Sequence, residues 1–309
     1  MIIVFGSLNI DVVMPVGHFP QPGETVLCSA DYLSRAGGKG SNQAVAAVRA
    51  GAKVAFVGKV GDDSFGRRSV NNLKNHGIWA AGIGMSERPT GCATIAVDAQ
   101  GANIVMVAPG ANFDATADQV PDEVLTEKNI ILAQMEVTRS ETLSVLARAH
   151  KSGATTILNA SPSGQIPEEA LTTIDYLIVN EIEALQLAQG FGSSETDPQK
   201  IALSVSTLGK LTCVITLEER GSIAARDGEI YAMDAMRVDP VDTTGAGDTF
   251  CGVFAACLQK DHDWLHALHR ASIAASLSCL AMGAQTQTPT MEDIEPQLHH
   301  VAPPRKIFG

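Results

Sequence analysis

The sequence predicts a layered α/β fold with a small β-sheet set into it. Three observations carry this. Short apolar runs of strand length alternate with longer segments of helical spacing along most of the chain. Two apolar segments, Cys92 to Asp98 and Asn103 to Ala108, flank Ala99-Gln100-Gly101-Ala102 and read as a hairpin rather than a parallel crossover. The 309 residues, 45% of them hydrophobic, suffice for one large core with at most a small appendage.

Taken in order, Ile2 to Phe5 predicts a buried strand, and Gly6 to Asp11 a polar loop at its carboxyl end, where ligands gather in open α/β sheets. Asn9 and Asp11 there suit either the hydroxyl groups of a small polyol or an Asx turn. Pro20, Pro22 and Gly23 mark a turn before an expected strand over Glu24 to Leu33. The segment Arg35 to Asn42 is a glycine-rich approach to a helix over Gln43 to Ala50, stopped by Gly51, and its Lys39 and Asn42 can reach a polar ligand. It lacks Walker A spacing, and no dinucleotide fingerprint follows the first strand. Lys53 to Lys59 predicts the next strand, and Asp62 to Gly66 leads into a helix ending near Gly77. Residues 12–34 and 91–108 are assigned to the small sheet, and 1–11, 35–90 and 109–309 to the main domain. Such a sheet either covers a substrate as a water-excluding lid or simply packs.

Beyond Asn112, strands are predicted at Ile130 to Gln134, Thr156 to Leu158, Tyr176 to Val179 and Thr212 to Thr216. Helices are predicted at Ser140 to Lys151, Glu181 to Ala188 and Pro198 to Leu208. Glu136, Asn159 and Asn180 each follow a strand end. Asn180 and Glu183 suit an approach to Mg2+ or its waters, and equally have the spacing of a helix capping box. Ser222 to Ala225 and Glu229 to Met233 form a hairpin around Asp227-Gly228. Trp264 to Leu280 is helical, with small residues that permit close packing or a shallow adenine pocket. His299 and His300 lack the nearby Cys/His set of a metal site.

The stretch with most chemical content is Asp242-Thr243-Thr244-Gly245-Ala246-Gly247-Asp248. An apolar run of helical spacing leaves it through Phe250, Phe254 and Cys257, with Thr243 or Thr244 expected to cap. Glycines there expose backbone N–H groups at a helix start, which makes an anion-binding site suited to a transferring phosphate. Asp248 in the first turn can accept a proton from an alcohol, or merely stabilise the helix start.

A net charge of −12 argues against non-specific binding to nucleic acid or anionic membranes. No run has membrane-span length and no signal peptide is evident, so a cytoplasmic location is expected. The six cysteines are dispersed without a C-x-x-C pair and are expected to be small core residues.

Two motifs in this order, Gly37-Gly38-Lys39-Gly40-Ser41-Asn42-Gln43-Ala44 and Asp242 to Asp248, make the chain resemble the PfkB or ribokinase-like family of carbohydrate kinases over nearly its whole length. The resemblance implies a three-layer fold with a central mainly parallel sheet and a small β lid, often used to form a homodimer. It implies a sugar site of Asn9, Asp11, Gly38, Lys39, Asn42 and Glu136, with Asp248 as general base and Gly245, Ala246 and Gly247 as anion hole. Asn180 and Glu183 match the motif that organises Mg2+ and phosphate. The purine of ATP falls between Thr216 to Gly221, including Glu218, and the helix around Ala275 and Ser276. A potassium-like cation belongs near Asp242, Thr244 and the turn containing Gly283. Two departures are Glu218, where glycine is common, and Asn159-Ala160-Ser161-Pro162, which lacks a first proline. Glu218 is expected to face solvent, with Arg220 compensating nearby. The implied reaction is ATP-dependent phosphorylation of a small sugar, D-ribose, at its primary hydroxyl. Related sugars, nucleosides and a non-catalytic sensor are the alternatives.

Overall fold

The computed structural model describes residues 1–260 and 263–309. Its strands are β1 (Ile2–Phe5), β2 (Asn9–Pro15), β3 (Leu33–Gly37), β4 (Val54–Gly61), β5 (Trp79–Ser86), β6 (Gly91–Val97), β7 (Asn103–Ala108), β8 (Ile130–Gln134), β9 (Thr155–Asn159), β10 (Tyr176–Asn180), β11 (Thr212–Thr216), β12 (Ser222–Arg226), β13 (Glu229–Met233) and β14 (Arg305–Phe308). The helices are α1 (Lys39–Arg49), α2 (Ser64–Asn75), α3 (Arg139–Lys151), α4 (Glu181–Gly190), α5 (Pro198–Gly209), α6 (Ala246–Gln259), α7 (Trp264–Ser278) and the single turn α8 (Met291–Ile294).

Ten strands form one sheet in the order β14-β13-β12-β11-β10-β9-β8-β1-β4-β5. It is parallel from β5 to β11, and antiparallel from β11 to β14. Side chains alternate along β1 between two cores, as the strand period of two requires. Ile3 and Phe5 join the core shared with α3, α4 and α5, whereas Ile2 and Val4 join that of α1, α6 and α7. Helices therefore cover both faces, and the three layers follow from continuous apolar strands buried on both sides. The second sheet runs β3-β2-β6-β7, with β2 and β6 parallel.

Four expectations need correction. The loop expected at Gly6 to Asp11 gives way at Asn9 to β2, because Asn9 and Asp11 alternate with Ile10 and Val12. No strand forms over Glu24 to Ala30, where Leu27 is 87% exposed; extended pairing begins at Leu33. Strands β5 and β14 went unread because each lies at a sheet edge, where little burial is demanded. Neither Thr243 nor Thr244 caps α6: Gly245 is its N-cap, in the left-handed region at φ 80°.

Helix α6 is buried from Asp248 to Cys257 and packs against α1 at very short range. A Cβ on Gly252 would lie 2.4 Å from the Gln43 carbonyl oxygen and 2.5 Å from Ala46 Cβ. Gly252→Ala should therefore destabilise the fold by about 1–3 kcal/mol, the usual cost of overpacking, read as a lower urea midpoint at unchanged slope.

Candidate active site

Strand β1 has β4 on one side and β8 on the other, so the chain's connections diverge at its carboxyl end, where a crevice opens. Two strand ends meet across it. Ser7 Oγ, just beyond β1, donates to Glu136 Oε2, beyond β8, at 2.6 Å. The same oxygen accepts the Lys39 backbone N–H at 2.9 Å, so Glu136 anchors the start of α1. Gly38 makes that approach possible: its φ is 90°, and a Cβ there would sit 2.9 Å from the Asn9 nitrogen. Asn9 is buried and accepts from Asn112 Nδ2 at 2.7 Å, with Asn112 itself pinned to the Leu8 N–H at 2.9 Å.

The α1 start also carries the groups that hold Asp248. Asn42 Nδ2 donates to Asp248 Oδ2 at 2.9 Å, and Gln43 Nε2 to Oδ1 at 3.0 Å. Both oxygens of a buried carboxylate are thereby engaged. Each donor is oriented in turn: Gln43 Oε1 accepts from Gln134 at 2.7 Å, and Asn42 Oδ1 accepts from Gln285 at 2.8 Å. Gln285 also accepts from Asn72 at 2.7 Å. Sequence alone assigns no role to Gln43, Gln134, Gln285, Ser7 or Asn112. Their signal was a polar residue inside or beside an apolar run, as Gln134 ends the fully buried strand Ile130–Gln134.

Electrostatics follow from this crowding. Burial, then the nearby Glu136 and Asp248 charges, push Asp11 up to about 6. Burial works against a charged Lys39, but Asp248, Glu136 and Glu183 overcome it and its ammonium is raised. Lys39 thus stays a cation among carboxylates.

At the start of α6, Thr249 N–H makes the bond to the Gly245 carbonyl, at 2.8 Å. The N–H groups of Gly245, Gly247 and Asp248 take no acceptor among the described residues, and a Cβ on Gly247 would meet only open space. Ala246 departs from the expected anion hole, because its N–H bonds to the Thr243 carbonyl at 3.2 Å. Asp242 staples the adjoining turns, accepting from Thr244 N–H and Gly283 N–H at 2.9 Å each. Although burial opposes it, these bonds and the Arg35 charge hold Asp242 below the usual carboxylate range.

Asn180 and Glu183 form the capping box in full, with bonds of 2.9 and 2.8 Å. On the expected nucleotide side, Thr216 Oγ1 donates to the Val179 carbonyl at 3.4 Å, and Ser276 Oγ to Ser272 of its own helix at 3.2 Å. Ala275 is half-buried beside it. Gly221 turns at φ 89° against β13. Glu218 is exposed, and its φ of 55° is a glycine-like conformation. Arg220 does not compensate it: the guanidinium pairs with Glu181 at 2.5 Å. Cys28 is likewise exposed rather than in the core. A cavity of about 610 Å³, lined by Arg139, Ile166, Glu168, Leu187 and Phe191, contains none of these groups. Convergent polar chemistry locates the site better than volume does.

The family model for "pfkB family carbohydrate kinase" matches residues 1–291. The chain belongs to this family. A ribokinase of Bacillus subtilis is 36% identical over 297 residues, covering 95% of this chain and 98% of its own. A ribokinase structure from Thermotoga maritima superimposes with a TM-score of 0.90 at 33% identity, over 96% of this chain and 99% of that one. An Arabidopsis thaliana ribokinase complexed with ribose and ATP gives 0.86 at 29% identity, over 96% and 98%. The chain is therefore a kinase, transferring phosphate to an alcohol, on the fold these structures share.

With its carboxyl raised to about 6, Asp11 binds a proton more tightly in the folded protein than in the unfolded chain. The stability this proton confers is complete below the ordinary carboxylate pKa and is lost as pH rises through about 6. Asp11→Asn should flatten that dependence, read as the urea midpoint of the folded protein between pH 5 and pH 7.5.

Proposed function

We propose that the protein transfers the terminal phosphoryl group of ATP to the primary hydroxyl of D-ribose, giving D-ribose 5-phosphate. One observation carries this reading: a carboxylate held at both oxygens, Asp248, sits in the first turn of a helix where the N–H groups of Gly245, Gly247 and Asp248 are open among the described residues. A base and an anion hole on the same turn suit transfer to an alcohol.

In this reading Asn9, Asp11, Gly38, Lys39, Asn42 and Glu136 orient the sugar, as the convergence of β1, β2, α1 and β8 allows. Asp248 takes the proton of the primary hydroxyl as its oxygen attacks the γ-phosphorus. The N–H groups of Gly245, Gly247 and Asp248 receive the charge of the transferring group. ATP lies across the carboxyl ends of β10 and β11, with its base between the Thr216 to Gly221 turn and α7. Exposed Glu218 points its charge into solvent, away from the phosphates. The small sheet serves as the lid.

Glu183 suits Mg2+ held through water, since one carboxylate oxygen serves the capping box and the other makes no bond among the described residues. Bound there, the metal would neutralise phosphate charge. The backbone carbonyls of Asp242, Thr244 and Gly283 accept no hydrogen bond among the described residues, and are the groups proposed to hold K+. The lid also suits a homodimer. Its edge strand β7 exposes Ile104, Val105, Met106 and Val107, an apolar row that a second copy would cover. The partners proposed are thus ribose, ATP and a second copy, with neither nucleic acid nor membrane involved; no described helix is long and apolar enough to cross a membrane. ATP as donor suits work in the cytoplasm.

The experiment is a transfer assay with ATP, Mg2+ and K+ that detects the phosphorylated product across ribose, fructose and nucleosides. Ribose 5-phosphate as the dominant product is expected. Preference for another acceptor would move the assignment within the family, and binding of ribose and nucleotide without product would replace it with a sensor.

A further inference from the structure

Arg35 lies on β3 directly opposite Asp11 on β2, so both side chains leave the same face of the small sheet. Its guanidinium reaches the turn after α7. A Cβ on Gly283 would lie 2.3 Å from Arg35 Nη1, and a Cβ on Gly245 would lie 2.5 Å from the Cβ of the next residue, Ala284. Two consecutive residues thus touch the Arg35 head on one side and the start of α6 on the other. Arg35 is only partly exposed, yet its guanidinium takes no hydrogen bond or close ion pair among the described residues, its charge acting on Asp242.

The surroundings are acidic: the Arg35 charge acts on Asp242, and Asp248, Glu136 and Glu183 surround Lys39. A polyphosphate donor entering such a field needs positive charge beyond what Lys39 supplies. A planar guanidinium with five donors is matched to phosphate oxygens.

We propose that Arg35 is a further catalytic residue, carried on the small sheet, whose guanidinium contacts the donor phosphates beside the start of α6. The proposal rests on the kinase reading above and adds a phosphate ligand from the lid. It makes the lid part of the transfer machinery as well as a cover over the sugar. In an enzyme with this arrangement, lid position controls turnover through charge.

The test compares wild type with Arg35→Gln, Arg35→Ala and Arg35→Lys, each checked by thermal melting. Titration with a non-hydrolysable Mg-ATP analogue should show binding weakened at least about tenfold in the Gln variant, and turnover with ribose should fall about 100-fold, short of the largest losses known for arginines that act on a transferring phosphate. The ribose dissociation constant should change less than about threefold, because a contact made to phosphate alone leaves the sugar's binding in place. Lysine should restore part of the loss, and added guanidinium ion should rescue the Ala variant. Analogue binding and turnover both within twofold of wild type in Arg35→Gln would overturn the proposal. So would a loss repaired by raising K+ alone, which would make Arg35 a stand-in for the monovalent cation. An equal loss of ribose binding would also overturn it, making Arg35 a support for the small sheet. Should the wild type phosphorylate no acceptor, the kinase reading fails, and the analogue titration still decides the role of Arg35.

Discussion

Everything in the site depends on how a buried carboxylate, Asp248, is held. An unpartnered charge at that depth would cost several kcal/mol, so the fold supplies two amide donors, Asn42 and Gln43, from a different helix. That requirement explains the close contact of α1 and α6. Gly252 lets the helices approach until Gln43 reaches Asp248, and Gln134 and Gln285 keep the two amides facing the right way. Packing and the placement of the carboxylate are thus one constraint: loosening the helix pair would free the carboxylate to turn.

The same constraint links the two halves of the site. Asn42 belongs to the start of α1, and Gln285 to the turn after α7, and a 2.8 Å hydrogen bond joins them. Asp242 then ties that turn to the approach to α6 through the Gly283 and Thr244 N–H groups. The starts of α1 and α6 are therefore tied into one hydrogen-bonded frame, the rigid positioning that the proposed phosphoryl transfer needs. The small sheet meets that frame at Asn9 on β2 and at Arg35 on β3.

Much of this was legible in the residues. Strand ends carrying Glu136, Asn159 and Asn180 could be read from apolar runs that stop at a polar residue, and both glycine-rich motifs could be read from spacing. The amide network could not, because Gln43 and Gln285 have no spacing signature and acquire meaning only when α1, α6 and the turn after α7 meet. The strand at Asn9 is not legible in the residues, because polar residues on alternate positions look like a turn until the sheet pairs them. The threonine cap failed for a related reason: Gly245 already occupies the left-handed position, so the chain starts the helix without a side-chain bond. Glu218 shows the reverse case, in which a departure from the family pattern keeps the glycine-like backbone that the pattern would predict.

The measurement that bears most directly on this account is the turnover of Asp248→Asn with ribose and Mg-ATP, alongside its ribose affinity and melting temperature. Asparagine keeps the size of the side chain and removes the base. If Asp248 accepts the hydroxyl proton, turnover falls by about 100-fold to 10,000-fold while ribose affinity and folding stay close to wild type. Turnover within a few-fold of wild type in a folded variant would contradict the account, and would leave Asp248 as a helix-start residue that happens to sit beside the site.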